Sequence, residues 1–342
     1  MKKYLFSFCG LQYVFTVALL ILGSQGSSAV DSNPDYGWRV VVSNITAKSI
    51  DTLSMLDESR WWAGMNTHLA FTENGGAKWD AIYESPALNI NALNVKVSNP
   101  IREIQFLDEN RGWLLSTNLM TTDDGGRSWK DVHFSSHTES TVRVPRSFYF
   151  IDANRGWVAG NVLEGGDEKS SAVLWETMDA GKHWREVRCL ECDENEVFWD
   201  LAATKNEGLF ILGNVIHRRK QASSHFEEMK INLSDASSQL MRVGIADPRT
   251  IWAETADGSY CFVSHNQGKS WATVKLDKES DRIVFVDDRR AYLASKGDVF
   301  FSEDGGRNWR LDLQGDYEQL HLDGRRRLIA AIGQGIAIKE LN

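Results

Sequence analysis

A short pattern recurs five times and constrains the fold more than any other feature. It is a hydroxyl residue, an Asp or Asn two positions later, a Gly after two more, and a Trp three positions beyond, as in Thr122-Asp124-Gly126-Trp129. Asp and Asn bond nearby backbone and so hold a turn, and Gly takes the positive φ that the turn needs. The Trp buries a large flat surface that would lock neighbouring repeats together. We name each copy a box turn and assign structural roles to Asn74, Gly76, Trp79, Asp124, Gly126, Trp129, Asp179, Gly181, Trp184, Asn266, Gly268, Trp271, Asp304, Gly306 and Trp309.

A second phrase lies between the box turns. Its clearest copy runs from Asp108 to Trp113, as Asp-Glu-Asn-Arg-Gly-Trp, between two short runs with strand-like alternation. That arrangement predicts a hairpin turn between two strands. With Trp113 as the anchor, equivalent positions follow one another at 37 to 52 residues, which suits units of four short strands. The seven anchors are positions 62, 113, 157, 209, 252, 292 and 329.

The seventh repeat stops early, and its missing strand lies at the other end of the chain. Trp38-Arg39-Val40-Val41 is similar to the segments that follow two box turns, at Trp184 and Trp309. A strand near 36–43 would therefore complete the last blade and remove free sheet edges. The predicted fold is all-β: a seven-bladed β-propeller over residues 30–342, with four-stranded antiparallel blades and a ring closed by the N-terminal strand.

Residues 1–29 have the composition of a secretory signal peptide. Lys2 and Lys3 precede an apolar run from Leu11 to Leu22, and Ser27-Ser28-Ala29 fits a cleavage site. We expect an exported protein, periplasmic or secreted (in the thylakoid lumen if the host is photosynthetic), with no transmembrane segment in the mature chain. The formal net charge is −9 and becomes −11 without Lys2 and Lys3. This acidity argues against nucleic acid as a partner.

Three cysteines follow the leader. Cys189 and Cys192 could form a loop disulfide in an oxidising compartment, which would leave Cys261 over. Structural or incidental thiols are the alternative. No second ligand pair at metal-binding spacing accompanies them, so neither a metal nor another cofactor is expected.

The two phrases together carry a family resemblance. The box turn resembles the Asp box of the bacterial neuraminidase repeat (BNR repeat). Combined with the Asp-x-Asn-Arg-Gly-Trp phrase, best preserved in 104–135 and 147–187, it resembles the photosystem II stability and assembly factor family. That resemblance implies a non-catalytic propeller that binds a protein partner, a membrane protein or its assembly intermediate. We expect no enzymatic activity and a monomer.

A sialidase-like glycoside hydrolase or a glycan-binding propeller is the alternative, because sialidases also carry Asp boxes. The sialidase pattern has an Arg-Ile-Pro phrase before the first box, an arginine triad, a Tyr nucleophile and a Glu partner. Here the nearest phrase is Arg143-Val144-Pro145, after two boxes, and spacing places no converging arginines.

One repeat position holds arginine in five blades, and this arginine row is the candidate partner-binding surface. A cationic ring of this kind would grip carboxylates or phosphates. The alternative is local, since Asp57, Asp108, Asp152 and Asp287 precede four of these arginines by three residues, and such pairs are common and weak. The arginine row consists of Arg60, Arg111, Arg155, Arg290 and Arg327.

Two further segments stand out. An insertion at Val162–Ser171 reads as a loop outside the repeat, either functional or merely tolerated. The run His217-Arg218-Arg219-Lys220 reads as a solvated basic stretch, and Phe226 replaces the box tryptophan in the fourth repeat, which lacks a box turn.

Overall fold

The computed structural model describes most of the chain after residue 36. The described ranges are 37–42, 50–90, 95–134, 141–164, 170–188, 198–204, 207–212, 214–220, 223, 225–233, 239–276, 280–317, 319–322, 327–332 and 335–341. The leader at 1–29 and the cysteines Cys189 and Cys192 lie outside them, so the predicted cleavage site and disulfide stay predictions.

Within these ranges, thirty strands form seven four-stranded antiparallel sheets and one small hairpin. The first strand, β1 (Trp38–Val42), joins the last sheet. Blade 1 consists of β2 (Thr52–Met55), β3 (Trp61–Met65), β4 (His68–Thr72) and β5 (Asp80–Glu84). The hairpin β6 (Leu88–Ile90) and β7 (Val95–Val97) follows it, and blade 2 consists of β8 (Glu103–Phe106), β9 (Gly112–Leu115), β10 (Leu119–Thr122) and β11 (Lys130–Asp131).

The next three blades repeat this order. Blade 3 consists of β12 (Thr141–Phe150), β13 (Gly156–Glu164), β14 (Ser170–Thr177) and β15 (Arg185–Arg188). Blade 4 consists of β16 (Phe198–Ala203), β17 (Glu207–Leu212), β18 (Val215–Lys220) and β19 (Glu227–Met229). Blade 5 consists of β20 (Leu240–Ile245), β21 (Ile251–Thr255), β22 (Tyr260–Ser264) and β23 (Ala272–Lys275).

The last two blades complete the ring. Blade 6 consists of β24 (Arg282–Phe285), β25 (Ala291–Ser295), β26 (Gly297–Ser302) and β27 (Arg310–Tyr317). Blade 7 consists of β28 (Gln319–Leu322), β29 (Arg327–Ile332), β30 (Gly335–Glu340) and β1. The pairing of β1 with β30, with Trp38 opposite Lys339, confirms the predicted closure by the N-terminal strand. The all-β, seven-bladed fold is confirmed as well.

Seven apolar clusters hold the ring together, and each is shared by two neighbouring blades. An indole in the second strand of one blade stacks on a phenyl ring in the first strand of the next. Trp62 lies on Phe106 with ring centroids 3.9 Å apart, and Trp113 lies on Phe150 at 3.5 Å. Phe226 is buried in the cluster between blades 3 and 4, although its repeat has no box turn. Packing between sheets, rather than within them, therefore makes up the core.

The box turns share one hydrogen-bond pattern. The Thr122 hydroxyl donates to Asp124 Oδ1 at 2.8 Å and accepts from the Gly126 N–H at 3.0 Å. Asp124 also accepts the Ser128 hydroxyl at 2.6 Å and the Ser128 N–H at 2.9 Å, and these two bonds, together with the bond from Thr122, lower the pKa of Asp124 to about 2. Gly126 has a φ of 92°, in the left-handed region. The hydroxyl-to-Asp or hydroxyl-to-Asn bond recurs at 2.9–3.0 Å in the other four turns.

Blade 3 differs from the loop predicted at Val162–Ser171. The described part of this insertion is strand, because β13 continues to Glu164 and β14 begins at Ser170, with Leu163 opposite Ser170. The first strand, β12, is lengthened as well, with Val142 opposite Leu163. The added residues therefore extend the sheet. Their backbone N–H and C=O groups pair between the lengthened strands.

Candidate protein-binding surface

The phrase turns and the box turns lie together on one side of the ring, which we name the box face. Both turns connect strands at the same end of each sheet, and a backbone bond joins them within a blade. In blade 2, the Gly125 N–H donates to Asn110 O at 2.8 Å. Equivalent bonds occur in blades 1, 3, 5 and 6, at 2.8–3.0 Å. The turns are thus presented by a rigid scaffold.

The arginine row lies on the box face, and three of its members bind their own turn. Arg60, Arg155 and Arg290 each donate Nε to the Asp three residues earlier, at 2.6–2.7 Å. The same aspartates accept backbone N–H bonds, and in Asp152 these contacts lower the pKa to about 2. The local pairing is therefore present at these three positions. It leaves their side chains partly exposed, at 30–36%.

The remaining contacts of the arginine row run between blades. Arg111 Nη1 donates to Ala153 O of blade 3 at 3.3 Å. Arg327 is only 5% exposed and donates to Asp57 O of blade 1 at 3.3 Å. Arg60 also meets Glu109 of blade 2 at 2.8 Å. The arginine row therefore links the turns of neighbouring blades. Arg327 is too deeply buried to offer a partner much surface.

A cavity of about 430 Å³ opens on the box face at blade 3, and we name it the blade-3 pocket. Ile151, Trp157 and Met178 supply apolar walls, and Arg155 and Arg185 lie at its edge. Met178 is 68% exposed. The other four box turns hold Glu73, Asp123, His265 and Glu303 at this position, so comparing the repeats would have singled out Met178.

The basic run His217 to Lys220 was interpreted wrongly as solvated. It belongs to β18, where His217, Arg218 and Arg219 are 3%, 9% and 0% exposed. Arg219 Nη1 forms an ion pair with Glu176 of blade 3, which also binds Arg185 at 2.5 Å. Arg218 donates to Gln267 O of blade 5 and pairs with Glu227 at 2.7 Å. The charges of this run did not predict its burial, because the carboxylates that pair with Arg218 and Arg219 lie in other strands.

The first strands of the blades surround a central cavity of about 620 Å³. Its wall includes Arg102, Arg242 and Arg282, together with Tyr149 and Glu103, which sequence spacing did not bring together. Arg102 donates to Ser116 O and Pro145 O, and Arg242 pairs with Glu254 at 3.1 Å. Burial raises the pKa of Tyr149, whereas a nucleophile needs a lowered one or an adjacent base.

Three other features of the described part of the chain bear on function. It contains no cluster of three or more His, Cys, Asp or Glu side chains placed to hold a metal ion. Within those ranges no helix is long and apolar enough to cross a bilayer. Cys261 is a buried free thiol whose pKa burial raises.

Comparisons with known proteins extend the resemblance found in the motifs. Residues 85–192 match the family model of the photosynthesis system II assembly factor YCF48. A solved structure of YCF48 bound to D1 peptide aligns with 93% of this chain and 100% of its own, with a TM-score of 0.63 and 17% identity. YCF48 from Cyanidioschyzon merolae aligns with 89% of this chain and 98% of its own, with a TM-score of 0.61 and 15% identity.

The fold is also shared with enzymes. A GH74 xyloglucanase from Xanthomonas campestris aligns with 84% of this chain and 51% of its own, with a TM-score of 0.56 and 15% identity. A comparison with curated proteins gave no match. Identities at this level show the fold and leave function to the site. The family match over residues 85–192 and the two YCF48 structures confirm that the chain resembles the photosystem II assembly factor family, and its fold is a β-propeller.

Proposed function

We propose that this protein is an exported, non-catalytic scaffold that binds a protein partner through its box face. The partner would belong to a membrane-associated complex whose assembly or stability the propeller supports. The D1 peptide is the ligand of the YCF48 structure that shares this fold. We extend only peptide binding to this chain, and the identity of the peptide stays open.

The blade-3 pocket is the observation that carries this proposal. Protein interfaces centre on buried apolar anchors, which are surrounded by polar groups that exclude water. Here Trp157 and Met178 offer an apolar seat, and Arg155 and Arg185 offer charged donors beside it. Arg185 is 64% exposed. An apolar side chain of the partner would fill the pocket while neighbouring carboxylates or carbonyls of the same segment bind the guanidinium groups.

Recovery of bound proteins from the native host tests the proposal. We expect a tagged chain to retain one reproducible partner. Met178→Asp should weaken this binding at least tenfold, because it places a charge in the apolar seat. Arg111→Glu combined with Arg155→Glu should do the same, more strongly than added salt does.

Arg290→Glu is the matched control. It alters an arginine with the same Asp partner geometry, but in blade 6, away from the pocket. An equal loss of partner binding in Arg290→Glu would show that disrupting any of these turns reduces binding. Full retention of the partner by Met178→Asp would place the interface elsewhere.

The hydrolase alternative rests on the arginines, tyrosine and carboxylates of the central cavity. Turnover of a fluorogenic sialoside or a glycan panel, lost in Glu103→Gln, would support it. The raised pKa of Tyr149 and the protein acceptors that occupy Arg102 and Arg242 favour the scaffold instead.

Export is tested separately from binding. A mature N-terminus at Val30 in a periplasmic, secreted or lumenal fraction would support the predicted leader. An intact Met1 in the cytoplasmic fraction would contradict it.

A further inference from the structure

Six blades place one polar residue each at the same level of the central cavity. Register defines the level, because each residue stands opposite an equivalent position of the second strand, as Glu103 opposite Leu115 and Arg282 opposite Ala294. All six line the central cavity. We name this set the channel ring: Thr52, Glu103, Ser147, Asp200, Arg242 and Arg282.

The channel ring is divided by charge. Glu103 and Asp200 come from blades 2 and 4, and Arg242 and Arg282 come from the adjacent blades 5 and 6. The two carboxylates are close enough for the charge of Asp200 to raise the pKa of Glu103. Burial and the charge of Arg242 lower the pKa of Arg282, whereas the charges of Asp200 and Glu103 raise it. The channel ring therefore presents two guanidinium and two carboxyl groups to the cavity, with the Thr52 and Ser147 hydroxyl groups between them, and the same cavity wall also includes Asp51 and Arg102.

Part of the hydrogen-bonding capacity of the ring is used by the protein. Glu103 Oε2 accepts the Phe148 N–H at 3.0 Å, and Asp200 Oδ2 accepts the Val243 N–H at 3.0 Å. Arg242 Nη1 binds Glu254 and the Asp281 carbonyl. One oxygen of each ring carboxyl group is thus bonded to the next blade, and Glu103 also bonds the Ser147 hydroxyl while Asp200 also accepts the Leu201 N–H.

Arg282 is the exception. Its Nε is buried and has no hydrogen-bond partner among the described residues. Burial lowers the pKa of this guanidinium, as does the charge of Arg242. A buried donor without an acceptor is costly, and native proteins seldom leave one unless another molecule supplies the acceptor.

We propose that the channel ring binds a small zwitterion that carries both a carboxylate and an ammonium group. The carboxylate meets Arg242 and Arg282, which offer the forked donors that carboxylates favour. The ammonium group meets Glu103 and Asp200. A simple anion would face the two carboxylates, and a simple cation would face the two guanidinium groups. A neutral saccharide would leave the Arg282 charge without a counter-charge.

Calorimetric titration of the mature chain tests this proposal with a series of amino acids of increasing charge separation. The probes are glycine, β-alanine, 4-aminobutanoate and 6-aminohexanoate. We expect one length to bind with a Kd of about 1 mM or below. Butanoate and butylamine, which carry one charge each, should bind at least tenfold more weakly than that probe.

Three variants make the test specific to the ring. Arg282→Gln and Asp200→Asn should each weaken the best probe at least tenfold, and the Asn retains an acceptor for Val243. Arg289→Gln changes an exposed arginine of the box face and should leave the affinity unchanged. Thermal unfolding identifies any variant that fails to fold, and Arg282→Lys, which keeps the charge, then replaces Arg282→Gln.

Several results would overturn the proposal. One is no binding of any zwitterion at about 10 mM by the folded chain. Another is equal affinity for butanoate, which would make the site a plain anion site. Binding of glucose in place of the zwitterions, or undiminished binding by Arg282→Gln, would also reject it. Because the channel ring does not include the blade-3 pocket, these outcomes leave the protein-binding proposal unaffected.

Discussion

Two side chains of the central cavity respond to pH in opposite directions. Burial raises the pKa of Glu103 to about 7, and the charge of Asp200 adds to the effect. Burial lowers the pKa of His321 to about 3, and the charge of Arg282 adds to it. Between pH 4.5 and 6.5 the folded state holds the Glu103 proton more tightly than the unfolded state does. Over the same range the unfolded state holds the His321 proton more tightly.

The two residues therefore contribute opposite slopes to the free energy of unfolding. Glu103 makes stability fall as pH rises from 4.5 to 7, and His321 makes it rise from pH 3 to 6.5. The carboxylates of the box turns do not change the slope of stability between pH 4.5 and 6.5. Their pKa values near 2, as in Asp124 and Asp304, mean that their contribution is lost only as pH falls from about 4 towards 2.

We predict that single substitutions separate the two slopes. Glu103→Gln, which keeps an acceptor for Phe148, should make stability rise with pH between 4.5 and 6.5. His321→Asn should make it fall over the same interval. Urea unfolding at pH 4.5, 5.5 and 6.5 measures both, and identical slopes in the wild type and the two variants would contradict the assignment.

At the scale of one element, β18 shows how a charged strand becomes part of the core. Alternate side chains face different neighbours, so Arg219 meets Glu176 of blade 3 and Arg218 meets Gln267 of blade 5. Arg219 is fully buried, and its removal would leave a space in the core and leave the buried Glu176 paired with Arg185, whose side chain is 64% exposed.

We predict that Arg219→Ala lowers the free energy of unfolding by about 3–5 kcal/mol. Arg218→Ala is the matched control in the same strand. Its partner Glu227 is 53% exposed and can be hydrated once the arginine is gone, so we expect a loss of about 1 kcal/mol. Denaturant unfolding compares the two, and equal losses would show that the buried pair has no special role.

Whether a feature could be predicted from the sequence depends on how local it is. Box turns and phrase turns are local patterns, so they reveal blade number and strand order. The burial of Arg219 depends on Glu176, which lies 43 positions earlier and has no distinguishing pattern. The hairpin formed by β6 and β7 falls between two repeats and follows no repeat position.

The channel ring could be predicted only in part. Five of its six members lie ten residues before the anchor of their blade, so the repeat aligns them, whereas Asp200 lies nine residues before position 209. The strand register places Asp200 at the same level, because Ile211 stands opposite it as Leu115 stands opposite Glu103. The repeat alone does not show that this position faces the central cavity.

For the whole molecule, closure by β1 is the contact on which the ring depends. Trp38 is 6% exposed and donates Nε1 to Asp312 of blade 6 at 2.7 Å. Lys339 binds the same carboxylate at 2.6 Å, and the indole packs edge-on against Tyr292. Trp38 thus connects β1, a strand of blade 7, with blade 6.

We predict that Trp38→Ala lowers the free energy of unfolding by about 3–5 kcal/mol, as expected for removing a buried indole. Trp38→Phe keeps most of the packing but loses the Asp312 bond, at a cost of about 1–3 kcal/mol. Val40→Ala, in the same strand but only partly buried, should cost less than either. Full stability of Trp38→Ala would show that the ring holds without this strand.

The pairing of β1 with β30 also sets a condition on biosynthesis. The ribosome makes β1 well before β30, so β1 has no strand to pair with until the last blade has been synthesised. A fragment that ends before β30 would carry both an unmatched strand and an open blade edge, where other polypeptides can add. Only a chain that contains both strands can cover these edges, which gives cellular quality control a direct means of telling the closed ring from its fragments.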